Sequence, residues 1–409
     1  KNLFNDFPQE VSFTIFDFLD VTSLGLLALV DLASRNVILN YVKSKKFVDR
    51  VKSDLVISSN EPPLDVDQLC RTLANVFKRS TMIMPTLDRV AIVHSFLFQM
   101  AEYSKLDETE AKRWGTFWHR VMRGWEFMEC SKAYGHLLNS NNINGKKLLT
   151  TFCNAGPGRN SQQEFGLHVF FRWFIFEHPY NKNEDIGYWL SAVLSDFAMY
   201  HQAKLLYLIF GPVNLDKRTI EWNVMCTTPA NVDLAERFFK KLARCFRLLQ
   251  SYMPGFWTDD TIVSLVEELT SFPDGWLLDN FAYFLLYCDD KIVTGILSSR
   301  VINGRLDEVC YIFHSMCLCV SRTSRNMALM VRYFQKLMCA ITSESLKLRF
   351  IKAFAHQSAV RLPVLYSSSG TPNVGVVAEV NAHEQFYGLI FLIVARHFAA
   401  HQQNQLAEQ

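Results

Sequence analysis

Apolar residues near the start of the chain recur at the spacing of short helices. With Pro8 as the first helical position, one helix is predicted through Leu19, and the cap-type residues Asp20 and Thr22 then precede a second. The apolar positions on one face of the first helix are Val11, Ile15, Phe18 and Leu19, widened by Phe16. A third helix is predicted around Ile38. Units below ~40 residues usually need a partner to bury their apolar surface, so these three helices are expected to meet another surface.

Helical spacing continues to the end of the chain, and alternation typical of strands is hard to find. The segment Trp257–Leu269 is representative, because Thr258 is a cap residue and a buried stripe follows it. The stripe consists of Ile262, Leu265, Val266 and Leu269. Short polar connectors separate the helices. We therefore predict an all-α fold, in which an N-terminal three-helix module precedes an irregular α-solenoid-like stack of helical hairpins. No fixed repeat period is evident, which disfavours regular tetratricopeptide or ankyrin arrays.

Two loop-forming segments divide the chain. "SSNEPPLD" contains two adjacent prolines, and "NAGPGRNSQQ" contains two glycines around a proline. The second segment is either a loop or a subdomain border. The predicted domains are residues 4–52, 65–152 and 163–400. If the first of these segments is only a linker, the chain from about Asp65 onward is expected to fold by itself.

Composition excludes several classes of protein. Hydrophobic residues make up 49% of the 409 residues, which excludes wholesale disorder. Lys and Arg number 42 against 40 for Asp and Glu, so no overall field attracts nucleic acid or a membrane. No apolar run approaches the ~20 residues of a membrane span. The ten cysteines lack a C-x-x-C pair, which is typical of buried thiols in a reducing compartment.

Motifs for catalysis or metal binding are incomplete. "HEQFY" lacks the second histidine that a zinc-protease helix requires, since Tyr387 stands one turn after His383. "NGKK" lacks the flanking residues of a phosphate-binding loop. No glycine-rich dinucleotide motif, nucleophile elbow or zinc ladder occurs in the sequence. We therefore predict a protein that is not an enzyme, with no catalytic residues, metal or cofactor.

One later helix has a basic face. In "ERFFKKLARCFRLLQ" the basic side chains lie opposite the apolar ones. The basic residues are Arg237, Lys240, Lys241, Arg244 and Arg247. The face is either the solvated side of a core helix or a contact for an acidic partner or a phosphate.

The N-terminal pattern resembles the F-box family, whose short helical module docks a protein onto the Skp-family adaptor of cullin-RING ubiquitin ligases. "FPQE" stands where that family usually has Leu-Pro-x-Glu, and Ile15-Phe16 with Leu19 matches its first helix. Asp31 replaces a frequent cysteine, so the third helix departs from the pattern. The adaptor-binding residues implied by the resemblance are Phe7, Pro8, Glu10, Val11, Ile15, Phe16, Leu19, Leu24, Leu27 and Val30. The other interpretation is a helical cap that packs on the rest of the chain.

Later segments narrow the resemblance to one animal member of the family. This narrower resemblance rests on four segments, "QAKLLYLIFGPV", "WTDDTIVSLVEEL", "WLLDN" and "VINGRLDE". It implies a germline protein of meiotic prophase, placed in the nucleus with the cytoplasm as a second location. The implied partners are a Skp-family adaptor, through it a cullin-RING ligase, and an unidentified protein substrate associated with meiotic chromosomes or telomeres. Membrane and nucleic acid are not expected partners.

Two functional hypotheses follow from the sequence. In the first, the chain is a non-catalytic substrate-recognition subunit of a Skp-cullin-F-box ubiquitin ligase. In the second, it is a chromosome-associated helical scaffold whose basic face binds nucleic acid or an acidic protein.

Overall fold

The computed structural model describes residues 7–57, 66–100, 107–139, 145–177, 183–323, 325–367 and 374–407. Most of these residues are helical, which confirms the predicted all-α, solenoid-like fold class. Two short strands, β1 (Val213–Asn214) and β2 (Thr219–Ile220), form a two-stranded sheet.

The helices of the first half of the chain are short to medium in length. They are α1 (Gln9–Asp17), α2 (Val21–Leu27), α3 (Leu32–Val42), α4 (Lys45–Ile57), α5 (Val66–Ser80), α6 (Thr86–Met100), α7 (Glu108–Met122), α8 (Phe127–Asn139), α9 (Gly145–Asn154), α10 (Ser161–Val169) and α11 (Asn183–Leu194). A π-helical segment, Phe170–Phe176, directly continues α10.

The second half continues the series and ends in two long helices. They are α12 (Met199–Phe210), α13 (Val224–Thr227), α14 (Val232–Leu234), α15 (Lys240–Tyr252), α16 (Asp259–Thr270), α17 (Leu278–Leu285), α18 (Asp290–Ile302), α19 (Leu306–Arg322), α20 (Ala328–Ala340), α21 (Glu344–Ser367) and α22 (Val374–Ala407). A second π-helical segment, Ala235–Phe239, joins α14 to α15.

Side-chain caps begin the second and third helices. The Asp20 carboxylate accepts a hydrogen bond from the Ser23 amide at 2.6 Å, and Asp31 accepts one from the Ser34 amide at 2.7 Å. Asp31 thus stands at a cap position, where a carboxylate stabilises the helix start better than a cysteine would. Pro8 is not the first residue of α1 as predicted. It precedes the helix in an extended conformation, with φ −55° and ψ 148°.

The chain forms two compact units. The first comprises the chain up to Trp189 together with Asn214–Ile220, and the second comprises Leu190–Val213 and the chain from Glu221 onward. The first unit contains α1 to α10, and the second contains α12 to α22. The three domains predicted from the sequence remain a prediction.

In the first unit, α7 packs closely against the π-helical segment at Gly115. A Cβ atom at Gly115 would lie 2.6 Å from the carbonyl oxygen of Phe174 and 3.0 Å from its Cα. His119, one turn further along α7, lies 3.2 Å from the same carbonyl oxygen through its Nε2. Burial lowers the pKa of His119 to about 4, so its ring is neutral at physiological pH.

Gly115→Ala is expected to destabilise the first unit by about 1–3 kcal/mol, because the obstructing atoms belong to the backbone and move only with the segment. Gly135→Ala is the matched control, since it also lies in a helix of this unit and a Cβ there would meet no atom within 4 Å. The control is expected to be neutral or stabilising by up to about 1 kcal/mol. Chemical denaturation of both variants measures the difference. Equal stabilities would contradict the close approach.

In the second unit, α16 matches the sequence interpretation in detail. The Thr258 hydroxyl accepts a hydrogen bond from the Thr261 amide at 3.2 Å. The predicted stripe of Ile262, Leu265, Val266 and Leu269 is fully buried. An aromatic cluster forms another part of this core, with Trp276 stacked on Phe239 at 5.9 Å and edge-on to Phe284 at 6.0 Å. Phe239 and Phe284 have no exposed surface, so these rings belong to the core of the second unit.

Candidate functional site

Helices α1, α3 and α4 share a small aromatic core centred on Tyr41. The Tyr41 ring meets Phe13, Phe16 and Phe47 edge-on, at centroid distances of 5.2, 5.5 and 5.3 Å. Tyr41, Phe16 and Phe47 have no exposed surface. This core therefore fixes α1 against α3 and α4.

A polar cluster beside this core holds the end of α1. The Tyr41 hydroxyl donates to Asp17 Oδ1 at 2.5 Å, and Lys46 Nζ lies 2.5 Å from Asp17 Oδ2. Arg50 donates to the carbonyl oxygens of Phe16 and Leu19, at 2.8 and 2.5 Å. These bonds satisfy carbonyl groups that a helix end leaves unpaired, so the orientation of the following residues is fixed.

The same cluster shifts two pKa values. Burial and the bond to Asp17 raise the pKa of Tyr41 to about 12. Burial alone would raise the pKa of Asp17, but the hydrogen bonds from Lys46 and Tyr41 outweigh it and hold that pKa below its usual value. Asp17 is therefore ionised at physiological pH, and the cluster is a structural support.

The predicted adaptor-binding residues divide into three groups. The exposed group consists of Phe7, Pro8, Glu10, Val11, Ile15 and Val30. Leu19 and Leu27 are half-buried. Phe16 and Leu24 are completely buried in the first unit, so the prediction that they contact an adaptor directly must be corrected. Their apolar side chains form the core that carries the exposed residues.

Several exposed apolar residues were missed among the predicted site residues. Phe18 is 87% exposed, and Leu26, Leu29 and Leu32 are about half exposed. Together with Ile15 and Val30 they are called the F-box apolar surface below. Phe18 follows Ile15 by three positions and Leu29 follows Leu26 by three, which is the spacing of one helical face. That spacing is the sequence signal that could have identified them.

The N-terminal helices also pack on the helices that follow the linker region. A Cβ at Gly25 in α2 would lie 3.4 Å from Val76 Cγ2 in α5. The Phe47 ring lies 6.3 Å from Phe77 and 6.0 Å from Phe96. Phe77 and Phe96 are buried. These contacts favour the interpretation in which the N-terminal helices pack on the rest of the chain, so the condition for independent folding from Asp65 onward, a segment that is only a linker, is not met. The segment "SSNEPPLD" itself, residues 58–65, lies outside the described residues.

The basic face occupies the expected side of α15 and the π-helical turn before it. Arg237, Lys240, Arg244 and Arg247 are exposed and Lys241 is half-buried, whereas Phe238, Phe239, Leu242 and Phe246 are buried. Lys240 pairs with Glu236 at 2.8 Å, and Arg247 pairs with Asp289 at 3.3 Å. These two pairs reduce the positive charge that the face offers to an acidic partner.

Few side chains in the described residues are suited to metal binding or catalysis. No cluster of three histidine, cysteine or acidic side chains there could hold a metal ion. Burial raises the pKa of the Cys310 thiol to about 12, so this thiol is protonated and inert at neutral pH. Within the same described ranges, no helix combines the length and the apolar character needed to cross a bilayer.

Fold and surface together define a mostly helical, solenoid-like protein with an F-box-like N-terminal end. The family model described as "FBXO47, ARM repeats" matches residues 142–358, and the chain belongs to this family. It is similar to F-box only protein 47 of Mus musculus, with 27% identity over 366 residues, which are 87% of this chain and 80% of that protein. F-box only protein 47 of Homo sapiens is also 27% identical, over 83% of this chain and 76% of that protein. The resemblance inferred from the sequence is confirmed. No solved structure matches the chain significantly.

Proposed function

We propose that this chain is the non-catalytic substrate-recognition subunit of a Skp-cullin-F-box ubiquitin ligase. Its N-terminal helices dock a Skp-family adaptor, and its helical remainder holds the protein to be ubiquitinated. Its relatives are F-box proteins by name, which supports the assignment. The observation that carries the proposal is the F-box apolar surface, in which Phe18 is 87% and Val30 69% exposed.

An uncovered apolar surface of this kind needs a partner. Single exposed apolar residues are ordinary, but a group of large ones within the short span from Ile15 to Leu32 is typical of a protein-protein contact. The buried core around Tyr41 and the bonds of Arg50 hold this surface in a fixed geometry. A preformed surface loses little conformational entropy when it binds.

The proposed contribution to ubiquitin transfer is positional. A receptor that holds a substrate lysine near a charged conjugating enzyme raises the effective concentration of the two reacting groups. The groups that form and break covalent bonds during ubiquitin transfer belong to the other subunits of the ligase. Loss of adaptor binding would therefore abolish transfer without changing the affinity for the substrate.

The double change Ile15→Asp with Phe18→Asp is expected to abolish adaptor binding. Buried apolar anchors of an interface contribute about 2 kcal/mol or more each, so affinity should fall by about a thousandfold. Because Ile15 is 38% and Phe18 87% exposed, two aspartates there should leave the fold intact. Calorimetric titration with a purified Skp-family adaptor measures the loss.

Leu215→Asp is the matched control, since Leu215 is 61% exposed and lies far along the chain. It should bind the adaptor as the unchanged chain does. Thermal melts must coincide for all three proteins. If the folded double variant binds the adaptor as tightly as the unchanged chain, the proposed function is contradicted.

The germline setting is also part of the proposal. We propose action in meiotic prophase, mainly in the nucleus, on a substrate associated with meiotic chromosomes or telomeres; the sequence resemblance is its support. A tagged chain imaged in germ cells would test it. Exclusion of the tag from prophase nuclei would contradict it.

A further inference from the structure

We propose that a cavity in the second unit binds a short, uncharged peptide segment of the substrate, through one apolar side chain and the peptide main chain beside it. The cavity has a volume of about 490 Å³, which lies within the ~300–1,000 Å³ range of ligand pockets. This inference rests on the proposed receptor function and names the part of the chain that recognises the substrate.

Three parts of the second unit form the cavity. One wall is the segment Pro229–Val232, which leads into α14. The other two are single faces of α17 and α19, whose residues recur at helical spacing. The lining residues on these helices are Asp279, Asn280 and Tyr283 on α17, and Ser315, Leu318, Cys319 and Arg322 on α19.

Buried hydrogen bonds hold the first wall in place. Asn280 is 1% exposed, and its Oδ1 accepts from the Ala230 amide at 2.6 Å. Its Nδ2 donates to the carbonyl oxygens of Met225 and Thr228, both at 2.8 Å. Asn280 therefore uses its polar atoms to fix the wall, and a ligand would find the cavity already formed.

Asp279 and Arg322 give the cavity one charge of each sign. Asp279 Oδ1 accepts from the Ser315 hydroxyl at 2.5 Å, which orients the carboxylate and leaves Oδ2 available. Arg322 is exposed, and among the described residues its guanidinium has no hydrogen bond or ion pair. The two charged groups lie on different helices and do not pair with each other.

This pair of charges selects the class of ligand. A phosphate or an acidic segment would be attracted by Arg322 but repelled by Asp279, and a basic segment would meet the reverse, so a ligand of either charge gains no net attraction. A peptide main chain is neutral and offers an N–H donor for Asp279 and a carbonyl acceptor for Arg322. The walls formed by Pro229, Val232 and Leu318 are apolar, so they suit an aliphatic or aromatic side chain between those two bonds.

The test is a selection of displayed short random peptides on the full-length chain. Selected peptides should share one apolar residue with uncharged neighbours. Their affinities for purified variants are then measured by fluorescence anisotropy. Arg322→Gln and Asp279→Asn should each weaken binding by about tenfold or more, because each replaces a hydrogen bond to a charged group with a weaker one to a neutral amide.

Val232→Trp adds an independent variant, since Val232 is 55% exposed and a larger side chain there should fill the cavity without disturbing the core. It should also weaken peptide binding by about tenfold or more. Arg349→Gln is the matched control for Arg322→Gln, because Arg349 is an exposed arginine of the same unit outside the cavity. It should leave the affinity unchanged.

Three outcomes would overturn the inference. The first is a selection that enriches no peptide, and the second is a set of enriched peptides that are uniformly acidic or basic. The third is a peptide affinity that is unchanged in all three cavity variants. Adaptor binding is measured on the same proteins. If the unchanged chain binds no adaptor but peptide binding follows the cavity variants, the proposed ligase function fails and the cavity assignment stands. If the unchanged chain binds the adaptor but the cavity variants leave peptide affinity unchanged, only the cavity assignment fails.

Discussion

A chain shortened to begin at Val66 is expected to aggregate rather than fold as a stable first unit. Removal of α1 to α4 takes away Phe47 and Gly25, which cover Phe77, Phe96 and Val76. Newly exposing a large apolar side chain costs about 1.5–3 kcal/mol, so three of them cost on the order of 5 kcal/mol. That is comparable with the total stability of many domains, which is ~5–15 kcal/mol.

Size-exclusion chromatography and a thermal melt followed by circular dichroism measure this outcome. The control is a chain that begins at Phe7, which keeps all four helices and should melt cooperatively. A monodisperse protein beginning at Val66, with a melting temperature equal to that of the control, would show that the N-terminal helices contribute no core.

Arg300→Met is expected to destabilise the second unit by about 3–5 kcal/mol. The Arg300 side chain is 6% exposed and joins three helices around it. Its Nε and Nη2 donate to the two carboxylate oxygens of Glu267 at 2.9 and 2.8 Å, and its Nη1 donates to Glu308 at 2.6 Å. The guanidinium carbon also lies 4.2 Å from the centre of the Phe281 ring. Methionine would leave two partly buried carboxylates without their shared cation.

Equilibrium unfolding in urea measures the loss. Arg305→Met is the matched control, because Arg305 also pairs with Glu308 but is 50% exposed, and surface pairs contribute less than about 1 kcal/mol. Adding Glu267→Gln to the Arg300→Met variant should recover part of the stability by removing an unpaired charge. An Arg300→Met variant as stable as the control would refute this role.

The predictable part of the fold is the part that local patterns determine. The capped helix α16 follows directly from Thr258 and its apolar spacing, since both cap and stripe lie within one segment. The cap at Asp20 is predictable for the same reason. The two π-helical segments are not, because an extra residue per turn responds to neighbouring helices that a local pattern does not reveal.

The candidate surface is only partly predictable. Helical spacing identifies the apolar positions in and just after α1, but it does not say which of two nearby positions points inward. Phe16 packs on Tyr41 while Phe18 is exposed, and that choice depends on α3 and α4. The cavity is harder to predict from the sequence. Asp279 and Arg322 are distant in sequence, and only the packing of α17 against α19 places them in the same cavity.

The packing of Phe47 on Phe77 and Phe96 has a consequence for the order of events during synthesis. The N-terminal helices leave the ribosome before α5 and α6, and their core is complete only after about fifty further residues have been translated. At roughly 5–20 residues per second, that interval lasts several seconds. During it the nascent chain carries Phe18 and its neighbours without a finished core beneath them. We therefore expect this apolar segment to need protection from aggregation during translation, before the first unit has folded.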